Sequence, residues 1–242
     1  MRIALISDIH GNDVALKAVV DDTKRIGVDQ IVCLGDVATL GPSPGDVINR
    51  LRDLGCPRIM GNHDDFLLDQ ELIHTYTEAP IIVEAVDWCR SHLSREDLDF
   101  VRTFEPRLEV PLDGQSTLLC YHGSPRSNME DLLCTTPTDE LDKFLAGYEA
   151  TVLAGGHTHI QMLRQHRGML VINPGSVGAP FREFVYGAQP TLMDHVEYAL
   201  VGAHQGAVRV DLQRLPLDKT AVRKPLAASD NPLSPWLLEQ YA

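Results

Sequence analysis

Positive charge is scarce in this sequence: 21 Lys and Arg stand against 34 Asp and Glu, a formal net charge of −13 over 242 residues. A broad basic surface of the kind that follows duplex DNA or anionic lipid is therefore not expected. A global count does not address a small anion held in a local site. Long apolar runs are missing too: none approaches the ~18 residues that a membrane span requires. The first carboxylate, Asp8, arrives too early for the apolar region of a signal peptide, and no cleavage pattern follows it. Paired cysteine motifs are absent. Cys33, Cys56, Cys89, Cys120 and Cys134 are odd in number, and no two share a CxxC spacing. Most sit in or beside apolar segments, as buried thiols do. The expectation is a reduced, cytoplasmic protein with no repeats and no low-complexity tract.

What is present is ordinary globular composition, 44% hydrophobic and 23% charged. The length suits one domain, or one domain with an insertion, and supports a core without a disulfide or metal staple. Arg2–Ser7 and Asp29–Gly35 read as strands buried on both faces. Between them, Asn12 and Asp13 supply capping chemistry for a helix carrying Leu16, Val19, Val20 and Ile26. Pro42 to Gly45 form a turn before a second helix with Val47, Ile48, Leu51 and Leu54. Pro57–Met60 reads as a third strand, so the first third is a set of right-handed βαβ units.

From about 65 to 105 the pattern becomes helical, with Ile82, Val86 and Cys89 at helical spacing and Ser94 and Asp97 as a capping box. This stretch is expected to be a helical cap insertion within a single 1–242 domain. Strands resume at Arg107–Leu112, Ser116–Tyr121, Thr151–Ala154 and Met169–Asn173. Thr191–Val201 and Val208–Leu215 suggest an antiparallel hairpin. The proline-marked end, about 216 to 242, reads as a surface tail closing in a short helix.

Five polar segments each follow a strand: Asp8-Ile9-His10, Gly35-Asp36, Gly61-Asn62-His63-Asp64, Tyr121-His122-Gly123 and Gly155-Gly156-His157-Thr158-His159. In extended backbone, residues i and i+2 project to one side, so Asp8 with His10, and His157 with His159, can each offer two ligands in one direction. The carboxyl ends of strands in an open α/β sheet are where ligands bind. Imidazole and carboxylate donors without thiolate suit Mn, Fe, Zn, Ni or Co. Each segment alone has a plain reading as a cap or turn; their joint occurrence in order points to a metal site.

The order D-x-H, GD, GNH[DE], H, GHxH resembles that of the calcineurin-like metallophosphoesterases from Asp8 to His159, with further likeness at Asn173-Pro174-Gly175-Ser176. The resemblance implies an α/β fold, a four-layer α/β/β/α sandwich of two mixed sheets, with two divalent ions, manganese first among the candidates. It implies Asp8, His10 and His159 on one ion, Asn62, His122 and His157 on the other, and Asp36 between them, one carboxylate oxygen able to serve each. A bridging hydroxide would attack phosphorus in line, with His63 stabilising charge or protonating the leaving oxygen and Asp64 orienting His63. Arg126, Arg182, Asn173 and Ser176 are candidates for substrate contact, each with a plain surface or turn reading beside it.

Protein phosphatases of the superfamily carry GDxVDRG where this chain has Gly35-Asp36-Val37-Ala38-Thr39-Leu40-Gly41, which argues against a phosphoprotein substrate. The segment looks more like the compact prokaryotic branch of phosphodiesterases and diadenosine tetraphosphate hydrolases. The expected substrate is a small phosphate ester, a phosphodiester or dinucleoside polyphosphate, with no membrane partner. Two other readings compete. One is a catalytically idle metal-binding scaffold, as in one retromer subunit. The other is a nucleic-acid phosphodiesterase, which the shortage of basic residues disfavours.

Overall fold

Side-chain alternation along the first strand sets up the layers. In the computed structural model, which describes residues 1–242, β1 (Arg2–Ile6) sends Ile3 and Leu5 to one face and Ala4 and Ile6 to the other, and all four are fully buried. α1 (Asp13–Ile26) begins where the Asn12 side chain accepts the Ala15 N–H and ends at Gly27 in the left-handed conformation. β2 (Gln30–Cys33) returns parallel to β1, and α2 (Pro44–Leu54) packs beside α1. The strand expected at Pro57–Met60 is reduced to isolated bridges, Cys33 with Arg58 and Ile59 with Glu105. The chain turns at Gly61 into α3 (Asn62–Leu68) before a ladder can form.

A 3₁₀ turn (Gln70–Thr75), α4 (Pro80–Ser91) and α5 (Arg95–Val101) follow, the last opened by the Ser94–Asp97 capping box. Then come β3 (Leu108–Pro111), β4 (Thr117–Cys120), α6 (Thr138–Phe144), β5 (Val152–Ala154), β6 (Met162–His166) and β7 (Met169–Asn173). The chain closes with β8 (His195–His204), β9 (Ala207–Pro216), α7 (Lys219–Ala228) and α8 (Ser234–Gln240).

The strands form two mixed sheets, ordered β2-β1-β8-β9 and β3-β4-β5-β7-β6. Their facing sides share one core, in which Leu5, Val32 and Leu34 meet Leu118, Val152 and Ile172. The outer side of the first sheet is covered by α1, α2 and residues of α4 and α5. The outer side of the second lies under α6, where Leu141 joins Leu119, Leu153 and Val171. This is the expected α/β/β/α sandwich. β6 escaped the sequence reading because it is an edge strand, paired with β7 alone, and edge positions tolerate the polar residues Arg164 and Gln165.

The helical stretch from 65 to 105 is there, and it does more than cap. Cys89, Leu93, Val101 and Phe104 complete the core beneath the first helical layer. The C-terminal segment departs from expectation. It is not a surface tail: Val222, Leu226, Leu233, Leu237 and Tyr241 are buried together with Ala85 and Leu192. The prolines misled because Pro235 occupies the first turn of α8, where the missing N–H breaks no helical bond. The i, i+4 spacing of Val222 with Leu226, and of Leu233 with Leu237 and Tyr241, was the legible signal. All five cysteines are free, only Cys134 is exposed, and no helix is long and apolar enough to cross a membrane.

Candidate metal centre

Left-handed backbone marks the site. Of the eight non-glycine residues with positive φ, five are Asp8, His10, Asp36, His157 and His159. Such conformations cost of order 1–3 kcal/mol each and persist where surrounding structure imposes them. The i, i+2 pairs therefore do not converge through extended backbone, as the sequence suggested: β1 and β5 have ended by Ile6 and Ala154, and the turns beyond them aim the side chains. Loop-to-loop hydrogen bonds hold those turns. Asp8 N–H reaches Gly35 O at 3.0 Å, His10 N–H reaches Asp36 O at 3.0 Å, and Gly178 N–H reaches Asp8 O at 3.0 Å. Ser176 Oγ adds a bond to Asp8 O at 2.7 Å.

Two buried clusters result, Asp8 with His10 and His159, and Asp36 with His122 and His157; within each, the ligand atoms lie within 4.8 Å of one another. Asn62 Oδ1 joins the second, 3.1 Å from His122 Nε2 and 3.0 Å from His157 Nδ1. Asp36 stands between the clusters through a single oxygen. Its Oδ2 lies 3.7 Å from His10 Nε2 and 3.4 Å from His122 Nε2, while Oδ1 accepts the His63 backbone N–H at 2.9 Å. One oxygen per cluster, the arrangement the sequence allowed, is not what the loop builds. A side chain at Gly61 would collide with that same Oδ1, which is why glycine precedes Asn62.

Three of the four imidazoles are oriented by a hydrogen bond at the far nitrogen, and the fourth, His157, has a carboxylate beside it. His122 Nδ1 donates to Leu34 O at 2.7 Å and His159 Nδ1 to Ala179 O at 2.7 Å. His10 Nδ1 meets Thr39 Oγ1 at 3.2 Å, and His157 Nε2 lies 3.2 Å from Asp131 Oδ1. With Nδ1 carrying the proton, the Nε2 of His159 is a bare lone pair, yet it sits 3.0 Å from His10 Nε2 and 3.5 Å from Asp8 Oδ1. In the tautomer in which His10 Nδ1 donates to Thr39 Oγ1, three acceptors face one another with no proton between them, an arrangement that suits a cation.

Electrostatics agree. Burial pushes the Asp8 and Asp36 carboxyls up to about 7. Burial, with the other histidines nearby, drives His10 well below the usual imidazole range, and burial takes His159 down to about 3. Protein alone thus favours neutral His10 and His159 and resists two carboxylate charges; divalent cations reverse the second tendency and use the first. The nitrogen and oxygen donor set fits a borderline divalent metal in each cluster.

The other expected site residues divide. His63 is buried with its ring centroid 5.1 Å from that of His10 and 5.9 Å from that of Tyr76, its Nδ1 has no partner, and it lines the adjoining cavity. Burial keeps it neutral, well below the ordinary range. Asp64 does not touch it. The Asp64 carboxylate accepts backbone N–H groups from Asp36 at 2.8 Å, Val37 at 3.0 Å and Gly61 at 3.0 Å, so it fixes the Asp36 turn instead of orienting His63.

None of the four expected substrate contacts lines the cavity. Asn173 braces the His157 turn through Gly156 O at 2.6 Å and Thr158 Oγ1 at 3.1 Å, and Ser176 braces the Asp8 turn. Arg126 is spent on Glu130, and Arg182, 65% exposed, on Glu183. In their place the cavity takes Tyr76, Asp131, Phe181 and Tyr186 and the C-terminal helices. Nothing in the sequence around Asp131 announces it; it becomes visible only beside His157.

Comparison with known proteins follows the geometry. Residues 1–193 match the family described as the calcineurin-like phosphoesterase superfamily domain. Phosphodiesterase YfcE of Escherichia coli K12 is 27% identical over 190 residues, covering 74% of this chain and 81% of that protein. The uncharacterized protein MJ0912 of Methanocaldococcus jannaschii is 28% identical over 238 residues, covering 88% and 93%. Among solved structures, a metallophosphoesterase from Sphaerobacter thermophilus superposes over the whole of both chains with TM-score 0.75 at 24% identity. The hypothetical protein PH1004 of Pyrococcus horikoshii superposes over 98% and 97% with TM-score 0.81 at 20% identity. The structural likenesses speak for the fold, and the family match for the chemistry: the chain belongs to the calcineurin-like phosphoesterase superfamily and is a metal-dependent phosphoester hydrolase.

Proposed function

We propose that the protein is a phosphodiesterase acting on a small molecule with two divalent cations. Asp8, His10 and His159 would hold one, Asn62, His122 and His157 the other, and Asp36 would stand between them. The observation that carries this reading is the convergence of all seven side chains in two adjoining clusters, of which His10, Asp36, His157 and His159 line the same cavity as His63. Two such cations, when bound, supply an activated water and clamp phosphate oxygens. Manganese is the first choice, as an ion suited to mixed imidazole and oxygen donors.

The chain's own contribution lies around that chemistry. His63, neutral in its buried pocket, presents a ring to the cavity whose N–H can donate a hydrogen bond to a phosphate oxygen or to a departing one. Its backbone N–H donates to Asp36 Oδ1, which fixes the two residues relative to each other. The name of the Escherichia coli relative supports a diester over a monoester.

The test is direct. Protein stripped with chelator and reloaded with Mn²⁺ should hydrolyse bis(p-nitrophenyl) phosphate faster than p-nitrophenyl phosphate, and the stripped protein neither. Silence toward both esters with two equivalents of metal bound would hand the case to the idle scaffold.

A further inference from the structure

The cavity that opens from the metal centre measures about 700 Å³, more than a phosphate with two small substituents fills. Its far wall is apolar. α7 and α8 contribute Val222, Leu226, Trp236 and Leu237, and Ile82 and Phe181 face them. At the mouth stand Tyr76, Ile81 and Tyr186, three of the five large hydrophobic residues that the fold leaves exposed.

No Lys or Arg lines any part of it. Its carboxylates are Asp13, already paired with Arg50 at 2.6 Å, Asp36 at the metal centre, and Asp131 beside His157. Two cations can neutralise one phosphate. Further phosphates would find no cationic side chain, only carboxylates, neutral polar groups and hydrocarbon, and burying a charge without a countercharge is strongly unfavourable.

Resting on the phosphodiesterase reading above, we propose that the substrate carries a single phosphate and an extended apolar arm, the arm seated between α4 and the C-terminal helices. Dinucleoside polyphosphates, which need several charges met, do not fit this chamber. The C-terminal part of that wall lies beyond residue 193, where the family match ends. Part of the arm's wall thus lies outside the segment that carries the phosphate chemistry.

The experiment uses the Mn-loaded full chain and measures competitive inhibition of bis(p-nitrophenyl) phosphate hydrolysis by methyl, butyl and octyl phosphate. Burial of a methylene is worth roughly fourfold in affinity, so octyl phosphate should inhibit at least about thirtyfold more tightly than methyl phosphate. Ile81→Glu and Trp236→Ala should each shrink that ratio to about its square root, roughly fivefold for a thirtyfold parent, if they sever about half of the arm's contacts. Ile81 is 39% exposed, so its substitution reaches the chamber without disturbing the core if Trp236→Ala fails to fold. Equal inhibition by all three alkyl phosphates, or stronger inhibition by diadenosine tetraphosphate with excess Mg²⁺, would overturn the inference while leaving the phosphodiesterase reading intact. Absence of bis(p-nitrophenyl) phosphate hydrolysis by the metal-loaded protein would instead remove that reading.

Discussion

The carboxylate of Asp64 accepts the backbone N–H of Asp36 at 2.8 Å and never reaches the His63 ring beside it in sequence. One buried side chain thereby fixes the turn that presents Asp36 to both metal clusters. Asp64→Asn turns an amide donor toward the N–H groups of Asp36 and Gly61, leaving donors facing donors. Losing hydrogen bonds to a buried charged acceptor costs about 1.5–3 kcal/mol. The expected result is a lower melting temperature together with a ten- to hundredfold loss of Mn²⁺ affinity, of the order seen when orienting partners are removed. Calorimetric titration checks the affinity. A variant that binds Mn²⁺ normally but has lost turnover would restore Asp64 to a role on His63.

How much of this was legible beforehand depends on whether a residue acts locally or across the fold. The strands ending at Ile6, Cys33, Cys120 and Ala154, and the polar segments after them, could be read because buried strands are continuous apolar runs and their ends are abrupt. The local reason for convergence could not: left-handed φ at Asp8 is held by bonds to Gly35 and the 176–178 turn, and that at His157 by the Asp8 carboxylate, all far away in sequence. Asp131 and Tyr76 carry no motif and matter only through what folds against them. The C-terminal helices were hidden by prolines whose positions proved harmless or tolerated, even though their apolar spacing was present all along.

His63→Ala separates chemistry from metal binding. Its imidazole belongs to neither cluster, so both clusters should bind Mn²⁺ as in the parent protein. Turnover of bis(p-nitrophenyl) phosphate should fall by roughly 10² or more, the scale for a removed hydrogen-bond donor to developing charge. Metal analysis of the purified variant alongside steady-state kinetics checks both halves. Unchanged kcat at full metal loading would remove His63 from the reaction.

Asp131→Asn should act on one metal cluster and spare the other. The Asp131 carboxylate sits 3.2 Å from the outward nitrogen of His157 and also accepts the Tyr186 hydroxyl at 3.1 Å. Loss of its charge weakens the orientation of one ligand of the second cluster, which predicts about ten- to hundredfold weaker binding there. Titration with Mn²⁺ should resolve one weakened and one unaltered site. Equal weakening at both would mean that the clusters are coupled through Asp36.

Stripping the metals should destabilise the fold as well as silence it. The native protein would bind the ions through buried groups drawn from five separate segments, an arrangement the unfolded chain lacks. At a free Mn²⁺ concentration of a hundred times Kd, binding at one site stabilises the native state by about 2.7 kcal/mol. For a chain of this size that raises the melting temperature by roughly 5–10 °C. Differential scanning calorimetry with and without chelator measures it. Coincident transitions would show that the clusters do not bind Mn²⁺ in the native protein.

Asn231 ties the apolar chamber to the catalytic loops. It is 2% exposed, and its side-chain amide donates to Leu40 O and Gly41 O, both at 3.2 Å, while its Oδ1 accepts the Leu233 N–H at 2.9 Å. Residues 40 and 41 line the cavity and follow directly on the Asp36 turn. Asn231→Ala leaves two carbonyls without this donor and frees the start of α8, at a cost of about 1–3 kcal/mol. Because the bonds lie between the C-terminal helices and the loop, the loss should fall first on the helices. Hydrogen exchange should show α7 and α8 opening more readily while β1 and β2 keep their protection. Uniform loss of protection across the chain would mean that the C-terminal wall unfolds only together with the sandwich, and that Asn231 is simply one more core contact.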